Sequence, residues 1–309
     1  MNPTANSHFY LAFRSTFLED LRHRDCDTAD VMAWVRQYAD PTAVYPSDLY
    51  RAAIDLSKTL QPSLPVRYWF YRMHTAIGGP PVTIRRDFDY WQQQQPLISP
   101  LFGEPFSRIS TTRINLSEAS AGGTYAARPE QLSDLQDWLR EQIEGRGHRI
   151  GFGGYGEKRS FYRHESWGSH PLPLRDRHLG LDFWTKAGTP VHTPLRGTVF
   201  GKRIDTNVRG FGAAVALFHV VRPGVHFYTI YGHLNPEDVR NLWVGRTLRE
   251  GRAFARVGSP EENGGWPAHL HWQVSLDMMG QRDVFFGAGH DEEWPMWRTL
   301  FPDPELLLR

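Results

Sequence analysis

The feature that most constrains the fold is a change in the pattern of apolar and turn residues near residue 149. Beyond this point, short runs of β-branched and aromatic residues alternate with Gly and Pro turns, as in GTVFG, GAAVALFHVV and HFYTIYGHL. Short apolar runs bounded by turn residues are typical of an antiparallel sheet. We therefore predict that residues 149–309 form an antiparallel β domain, which ends in the aromatic tail EEWPMWRTLF.

The N-terminal half has a different pattern. Apolar residues recur at helical spacing within the first sixty residues and again over residues 129–144, where Gly145 is expected to stop the helix. Residues 61–123 are rich in Pro, Gly and aromatic residues, which predicts irregular chain with short strands at VRYWFYRM and TTRINL. The whole chain is thus predicted to be an α+β protein, with a mostly helical and irregular region over residues 1–148 before the β domain.

The composition excludes several classes of site. Cys26 is the only cysteine, so an intrachain disulfide is impossible and thiolate-rich metal sites are excluded. A metal ion would need His, Asp or Glu ligands, and the chain has 14 His. The 35 Lys and Arg nearly balance the 34 Asp and Glu, which argues against binding nucleic acid or an anionic membrane through bulk charge. We expect neither as a partner.

The first residues of the chain do not resemble a signal peptide. They lack a basic segment followed by an apolar core. No run approaches the roughly 18 apolar residues of a membrane helix. The expected location is therefore the cytoplasm, and the sequence leaves the oligomeric state open.

Two short segments place potential metal ligands on one face of a strand. In a strand from His178 to Phe183, alternation puts His178 and Asp182 on the same face as Gly180, whose missing side chain leaves space for an ion. In residues 268–274, the apolar residues share one face and three polar residues share the other: His269, His271 and Gln273. Imidazoles and a carboxylate at a period of two predict metal coordination.

A third segment, Tyr231-Gly232-His233, places another histidine at the end of an apolar run. The ordered motifs H-x3-D, Y-G-H and H-x-H resemble peptidase family M23, the zinc metallopeptidases of the lysostaphin and LytM type. The flanking stretches KAGTPVHTPLRGTVFG and GRAFARVGSPEENGGWPAHLHWQV resemble the same family. The resemblance covers residues 176–276.

This resemblance implies a role for each of the five residues. His178, Asp182 and His271 correspond to the zinc ligands, and His233 and His269 to two catalytic histidines that are not ligands. Two imidazoles and a carboxylate would leave a fourth position for water on Zn²⁺. His269 is expected to orient or deprotonate that water and His233 to stabilise the oxyanion, and the sequence leaves open which histidine has which role.

The resemblance predicts a zinc-dependent hydrolase that cleaves an amide bond in a peptide or peptide-like substrate. Two alternatives remain open. The first is a catalytically silent binding module that keeps the zinc. The second is a cytoplasmic biosynthetic metalloenzyme acting on a small molecule, since two histidines and one carboxylate also describe a non-haem Fe(II) site.

The surroundings of the predicted site differ from the family pattern. Trp266 and Pro267 replace a turn of small residues before H-x-H, which predicts a stiffer and narrower rim. Glu157 and Arg159 are candidates for lining the substrate groove. His164 and His170 are candidates for reaching the open coordination position.

Overall fold

Two compact units make up the chain, Met1–Val82 and Thr83–Arg309. The computed structural model describes residues 13–18, 28–39, 46–60, 66–78, 83–94, 98–117, 132–159 and 175–308. Among these residues, helices come first and a mostly antiparallel sheet follows. This arrangement confirms the predicted α+β class.

The described part of the first unit is helical. A π-helical turn spans Phe13–Phe17, and three α-helices follow: α1 (Thr28–Tyr38), α2 (Pro46–Thr59) and α3 (Val66–Ala76). In α2, four apolar residues at helical spacing are buried: Leu49, Ala52, Ala53 and Leu56. Such a stripe is what stabilises a helix against its neighbours. None of the helices described in either unit is long and apolar enough to cross a membrane.

The segment VRYWFYRM lies in α3, so the predicted strand there is wrong. Its aromatic residues favour β structure by local propensity. However, the helix buries Tyr68, Trp69 and Met73, and the adjacent residues Tyr68 and Trp69 would face opposite sides of a strand. Burial of both aromatic side chains within the first unit outweighs the local preference.

The second unit begins with a helix, α4 (Thr83–Gln94), in the region predicted to be irregular. It buries Phe88 and Trp91, and the centroid of each ring lies 5.1 Å from that of Phe227. The helix is otherwise polar, with Gln at positions 92–95 of the sequence. So few apolar residues give a weak periodic signal, and the helix becomes recognisable only through its packing on the sheet.

The described part of the second unit also contains one more long α-helix, two short α-helices, four 3₁₀-helical turns and the strands. The helices are α5 (Leu132–Ile143), α6 (Pro236–Arg240) and α7 (Trp294–Leu300). The described strands are β1 (Thr111–Arg113), β2 (Ile150–Gly153), β3 (Arg177–His178), β4 (Leu181–Trp184), β5 (Pro190–His192), β6 (Gly197–Ile204), β7 (Ala213–Arg222), β8 (Val225–Leu234), β9 (Thr247–Leu248), β10 (Ala253–Arg256), β11 (His269–Ser275) and β12 (Ala288–Gly289).

Eight of these strands form one sheet in the order β1-β2-β4-β11-β8-β7-β6-β9. The pair β1 and β2 is parallel, and the other pairs are antiparallel. Two further pairs, β5 with β10 and β3 with β12, are also antiparallel. The main core packs on one face of β4 and β11, where Phe183, Leu270 and Trp272 are fully buried. The apolar face predicted for residues 268–274 is therefore confirmed.

The boundary predicted near residue 148 falls inside the second compact unit. The sequence pattern changes there because α5 ends at Ile143. The helix nevertheless remains packed on the sheet. A Cβ atom on Gly151 of β2 would lie 2.6 Å from Cδ1 of Ile143. The left-handed residue that ends the helical segment is Gly147, at φ 79°, and not the predicted Gly145.

His219 in the middle of β7 makes the fold sensitive to acid. Its ring is buried, with Nδ1 donating to the carbonyl of Arg196 at 2.9 Å and Nε2 hydrogen-bonded to Thr229 Oγ1 at 2.7 Å. Burial lowers the pKa of His219 from 6.5 to about 4, and the hydrogen bond to Arg196 opposes this only in part. The unfolded chain takes up a proton near pH 6.5, whereas the folded chain does so only near pH 4.

We expect the free energy of unfolding to fall between pH 6.5 and 4, with His219 contributing about 3 kcal/mol at about 1.4 kcal/mol per pH unit. Urea unfolding at pH 7 and pH 4.5 measures this loss. His219→Leu should reduce the pH dependence by most of that amount. The matched variant His226→Leu changes an exposed histidine of the neighbouring strand and should not. An equal pH dependence in His219→Leu and the wild type would contradict this assignment.

Candidate metal centre

Strand pairing brings the predicted site residues together. In the antiparallel register of β4 and β11, His271 lies opposite Asp182 and His269 lies opposite Trp184. On the other edge of β11, His271 lies opposite Gly232, the residue before His233. The three sequence motifs therefore meet near the middle of the sheet.

His178 reaches the same place from a separate strand. The predicted continuous strand from His178 to Phe183 is wrong, because β3 ends at His178 and pairs with β12, and β4 begins only at Leu181. Gly180 lies in the break, where a Cβ atom would be 2.7 Å from Cε1 and Nε2 of His271. The missing side chain thus makes room for the His271 ring and not, as predicted, for an ion.

Three potential ligand atoms converge on one point: Nε2 of His178, Oδ1 of Asp182 and Nδ1 of His271. Nε2 of His178 lies 2.9 Å from Nδ1 of His271 and 3.3 Å from Oδ1 of Asp182. Nδ1 of His271 lies 3.2 Å from the same Oδ1 atom. All three side chains are buried.

In each of the two histidine rings, the nitrogen that faces away from the cluster makes a hydrogen bond that shows which nitrogen carries the proton. Nδ1 of His178 is 2.9 Å from the carbonyl oxygen of Gly154, and Nε2 of His271 is 2.8 Å from Oε1 of Gln273. A carbonyl oxygen only accepts, so each of these nitrogens carries the proton and donates. Burial, reinforced by the charge of Arg159, lowers the pKa of His178 to about 4, which keeps that ring neutral. The lone pairs of both rings therefore point toward each other and toward Asp182.

This arrangement fits a divalent cation. Two imidazole lone pairs 2.9 Å apart repel each other, because neither nitrogen has a proton to donate. Bonds of about 2.0–2.1 Å in a tetrahedral geometry hold neighbouring ligand atoms about 3.3 Å apart, close to the separations observed. Two neutral imidazoles and one carboxylate are also a donor set of catalytic zinc sites. The residues present therefore fit a zinc ion.

Arg159 determines which oxygen of Asp182 faces the rings. Its Nη1 donates to Oδ2 of Asp182 at 2.7 Å and its Nε donates to Glu157 at 2.9 Å. The buried ion pair with the guanidinium of Arg159 holds the pKa of Asp182 well below its ordinary value, although burial by itself would raise it. The carboxylate is thus charged, with Oδ1 left for the ion.

This result refines the prediction that Arg159 and Glu157 line a substrate groove. Arg159 does contact the cavity beside the cluster. Its guanidinium is nevertheless almost fully buried against Asp182, so it positions the carboxylate. Glu157 is not among the described residues that line the cavity; it accepts from Arg159 and from the backbone N–H of Leu116.

His233 and His269 lie next to the three ligand atoms. Their ring centroids are 4.1 Å apart, and Nε2 of His269 is 3.9 Å from Oδ1 of Asp182. Nδ1 of His269 lies 2.7 Å from the carbonyl oxygen of Pro267, and Nδ1 of His233 lies 3.3 Å from that of Asn263. Each Nδ1 therefore donates its proton to a backbone carbonyl, and the lone pair of each ring is on Nε2.

Both of these rings are neutral near pH 7. Burial lowers the pKa of His269, and burial together with the neighbouring His269 lowers that of His233 well below its ordinary value. His233 also has a φ of 60°, a left-handed conformation that few residues other than Gly adopt. Unusual backbone conformations of this kind cluster at functional sites. The pair thus presents two proton acceptors beside the cluster.

A cavity of about 230 Å³ opens beside the cluster, and all five predicted site residues line it. Trp266 and Pro267, from the segment predicted to form a narrow rim, line it as well. Nε1 of Trp266 donates to the carbonyl oxygen of Gly210 at 3.2 Å. The rim segment is thereby tied to the loop that joins β6 and β7, and the cavity gives a substrate access to the ligand atoms.

Gln273 is a site residue to which the sequence analysis gave no role. It shares the strand face of His269 and His271, and that spacing was the signal for it. Its Oε1 accepts from Nε2 of His271 at 2.8 Å, and its own Nε2 is 3.4 Å from the carbonyl oxygen of Phe286. Gln273 therefore fixes both the orientation and the tautomer of His271.

Replacing Gln273 with Met is expected to weaken zinc binding about 10- to 100-fold, the range typical of losing a hydrogen-bond partner of a ligand histidine. The side chain keeps its length but loses the acceptor for His271. Competition with a chromophoric chelator measures the affinity. Gln281→Met, at an exposed position, is the matched control and should bind zinc as the wild type does. Unchanged affinity in Gln273→Met would refute the role of Gln273.

Three residues considered from the sequence lie outside the described residues: Cys26, His164 and His170. The idea that His164 or His170 reaches the coordination position stays a prediction.

Comparison with known proteins bears on the same part of the chain. Residues 176–282 match the model for peptidase family M23. Among curated proteins, no sequence matches this chain.

Several solved structures are similar to it. A mutant catalytic domain of the prophage-encoded M23 protein EnpA from Enterococcus faecalis is 18% identical, with 41% of this chain and 85% of that chain covered and a TM-score of 0.28. The catalytic domain of the antimicrobial peptidase lysostaphin from Staphylococcus simulans is 23% identical, with coverage of 42% and 87% and a TM-score of 0.28. A zinc-containing peptidase from Vibrio cholerae is 25% identical, with coverage of 35% and 30% and a TM-score of 0.26.

The match to the family model spans the segment from the strand of His178 to the residues just after β11. Residues 176–282 of this chain thus match peptidase family M23, as the ordered histidine motifs predicted.

Proposed function

We propose that this protein is a zinc-dependent metallopeptidase that hydrolyses an amide bond in a peptide or peptide-like substrate. The observation that carries the proposal is the convergence of three lone-pair-bearing atoms, on His178, Asp182 and His271, within 3.3 Å of one another. The match of residues 176–282 to peptidase family M23 supports the same chemistry.

In the proposed site, His178, Asp182 and His271 hold the ion, and the cavity leaves the ion accessible to water and substrate. A bound zinc ion supplies Lewis acidity, which activates water and polarises a carbonyl group. Arg159 and Gln273 keep two of the ligands oriented, so the site is arranged before substrate binds.

His233 and His269 are proposed to move protons beside the ion. With Nδ1 donating to a backbone carbonyl, each neutral ring offers the lone pair of Nε2 to the cavity. Either ring accepts a proton from the attacking water and, once protonated, donates a hydrogen bond to an oxyanion or a proton to the leaving amine. Because the neutral form has no proton on Nε2, His233 stabilises an oxyanion only after it has taken one up.

Elemental analysis of protein purified without added metal tests the metal, and hydrolysis of a quenched-fluorescence peptide library tests the activity. We expect about one zinc per chain and peptide cleavage that a chelator abolishes and zinc restores. Zinc without cleavage of any peptide would favour the silent binding module. Iron in place of zinc would favour the biosynthetic metalloenzyme acting on a small molecule.

A further inference from the structure

Three arginines outside the metal cluster line the same cavity: Arg175, Arg203 and Arg209. They come from separate parts of the chain, namely the segment before β3, strand β6 and the loop between β6 and β7. None of them belongs to the predicted ligand set or to the proton-transfer pair. The fold therefore places three guanidinium groups in the lining of the cavity that opens beside the proposed metal centre.

Arg175 and Arg203 are each held in place by their own contacts beside the cavity. The guanidinium carbon of Arg175 lies 4.5 Å from the ring centroid of Phe286. Arg203 donates through Nε to Asp283 at 2.9 Å and through Nη2 to the carbonyl of Val284 at 3.1 Å. Burial lowers the pKa of Arg175, and the charge of Arg203 lowers it further. The two guanidinium groups are therefore fixed beside the cavity, Arg175 by packing on Phe286 and Arg203 by hydrogen bonds and by the carboxylate of Asp283, which offsets part of its charge.

Arg209 lines the cavity from a loop and has an unusual backbone conformation. It has a φ of 59°, where Gly would be the ordinary residue, and its N–H donates to the carbonyl of Gly264 at 2.7 Å. Only 3% of Arg209 is exposed, although it is a large cation on a surface loop. The loop thus holds an arginine where backbone conformation alone favours a glycine.

The described acidic residues lining the cavity are Asp182 and Asp205, and both have other partners. Asp182 accepts from Arg159. Asp205 accepts from the backbone N–H groups of Asn207 at 2.9 Å and Phe211 at 3.4 Å, which shapes the loop. The described lining thus has four arginines and two aspartates, while Glu157 and Asp283 outside it accept hydrogen bonds from Arg159 and Arg203. A bound metal ion would add positive charge beside these guanidinium groups.

We propose that Arg175, Arg203 and Arg209 form a subsite that binds a carboxylate group of the substrate, so that the enzyme selects acidic peptides. This proposal rests on the proposed peptidase function and adds the substrate class. The planar fork of a guanidinium matches a carboxylate, and charge-assisted hydrogen bonds of this kind are the strong ones in a partly buried site. The carboxylate is either the side chain of Asp or Glu near the scissile bond, or the C-terminal carboxylate of a short peptide.

The test uses blocked hexapeptides of Gly and Ala with a single Glu or Gln at each position in turn. A second set has no Glu and ends in either a free carboxylate or an amide, which separates the two sources of the negative charge. We expect kcat/KM of the zinc enzyme to be about 10- to 100-fold higher for the acidic member of one matched pair, the range expected for hydrogen bonds to a charged group. In Arg175→Gln and Arg203→Gln this ratio should fall toward one.

Arg240→Gln is the matched control, because Arg240 is exposed in α6 and lies outside the cavity lining. It should keep both the activity and the preference. A zinc enzyme that cleaves acidic and neutral members of every pair equally well would overturn the subsite and leave the peptidase function standing.

A binding measurement keeps the two proposals distinguishable. Calorimetric titration of zinc-loaded His269→Ala with the same peptide pairs reports recognition without turnover. We expect about 10-fold or tighter binding of the acidic peptide and loss of that difference when Arg175→Gln is added. If no peptide is hydrolysed by the wild type but this difference is observed, the carboxylate subsite stands and the peptidase function fails. Equal binding of acidic and neutral peptides would overturn the subsite.

Discussion

Replacing His271 with Ala is expected to remove the metal ion and the hydrolytic activity together. His271 supplies one of the three converging ligand atoms. Its ring donates a hydrogen bond to Gln273 and occupies space that a side chain at Gly180 would fill. The binding free energy of structural zinc sites is about 10–16 kcal/mol, so one ligand contributes on the order of 3 kcal/mol. Loss of one ligand therefore weakens zinc binding at least about hundredfold. Zinc content after dialysis and cleavage of a library-derived peptide measure the two effects.

The control for this variant is His226→Ala, which removes an exposed histidine from β8 and should change neither quantity. His271→Gln fills most of the volume of the ring, and a far-UV spectrum of both variants separates loss of metal from loss of fold. If folded His271→Ala retained one zinc per chain, His271 would not be a ligand and the proposed centre would be wrong.

Replacing His269 with Ala should also abolish activity, but this variant should retain zinc. Nε2 of His269 lies 3.9 Å from Oδ1 of Asp182, beside the cluster, and carries a lone pair. A positioned general base typically contributes about 10²–10⁴-fold to the rate, and we expect kcat to fall by that factor. The measurements are single-turnover cleavage and zinc content of the same preparation.

His192→Ala is the matched control, since His192 lies on β5 and outside the described lining of the cavity. It should cleave the peptide at the wild-type rate. Retained turnover in His269→Ala would remove His269 from the mechanism, whereas loss of zinc would make it a ligand.

The wild-type pH profile should agree with this role. A general base must be deprotonated, and burial lowers the pKa of His269 below its ordinary value of 6.5. As the pH falls through this lowered pKa, the ring takes up a proton and kcat/KM decreases, so the acid limb is expected below pH 6.5. An acid limb whose midpoint stays the same in the residual activity of His269→Ala would contradict this assignment.

Much of the candidate site could be predicted from the sequence because it obeys the period of a strand. His269 and His271 lie on one face of β11 with Gln273, and the apolar residues between them pack in the core. The break between His178 and Leu181 could not be predicted, because both residues fit the alternation of a continuous strand. It follows from the separate pairing of β3 with β12, which depends on residues more than one hundred positions later.

Some of the helices could likewise be predicted from the sequence, and others could not. Strong apolar periodicity predicted α1, α2 and α5, whereas α3 was mistaken for a strand and α4 for irregular chain. In α3 the aromatic residues have a local preference for β structure, and in α4 too few apolar residues mark the buried face. Both helices become evident only through what they bury, since Trp69 is fully buried and Phe88 packs on Phe227.

The sequence by itself determined the identity and order of the five candidate site residues, since residue types and their spacing are local properties. The tertiary structure alone decided three other features. It showed that Arg159 positions Asp182, that the lone pairs of His178 and His271 face each other, and that arginines from three segments share one cavity. These features depend on distances between residues far apart in the chain, and only the folded sheet and its loops determine those distances.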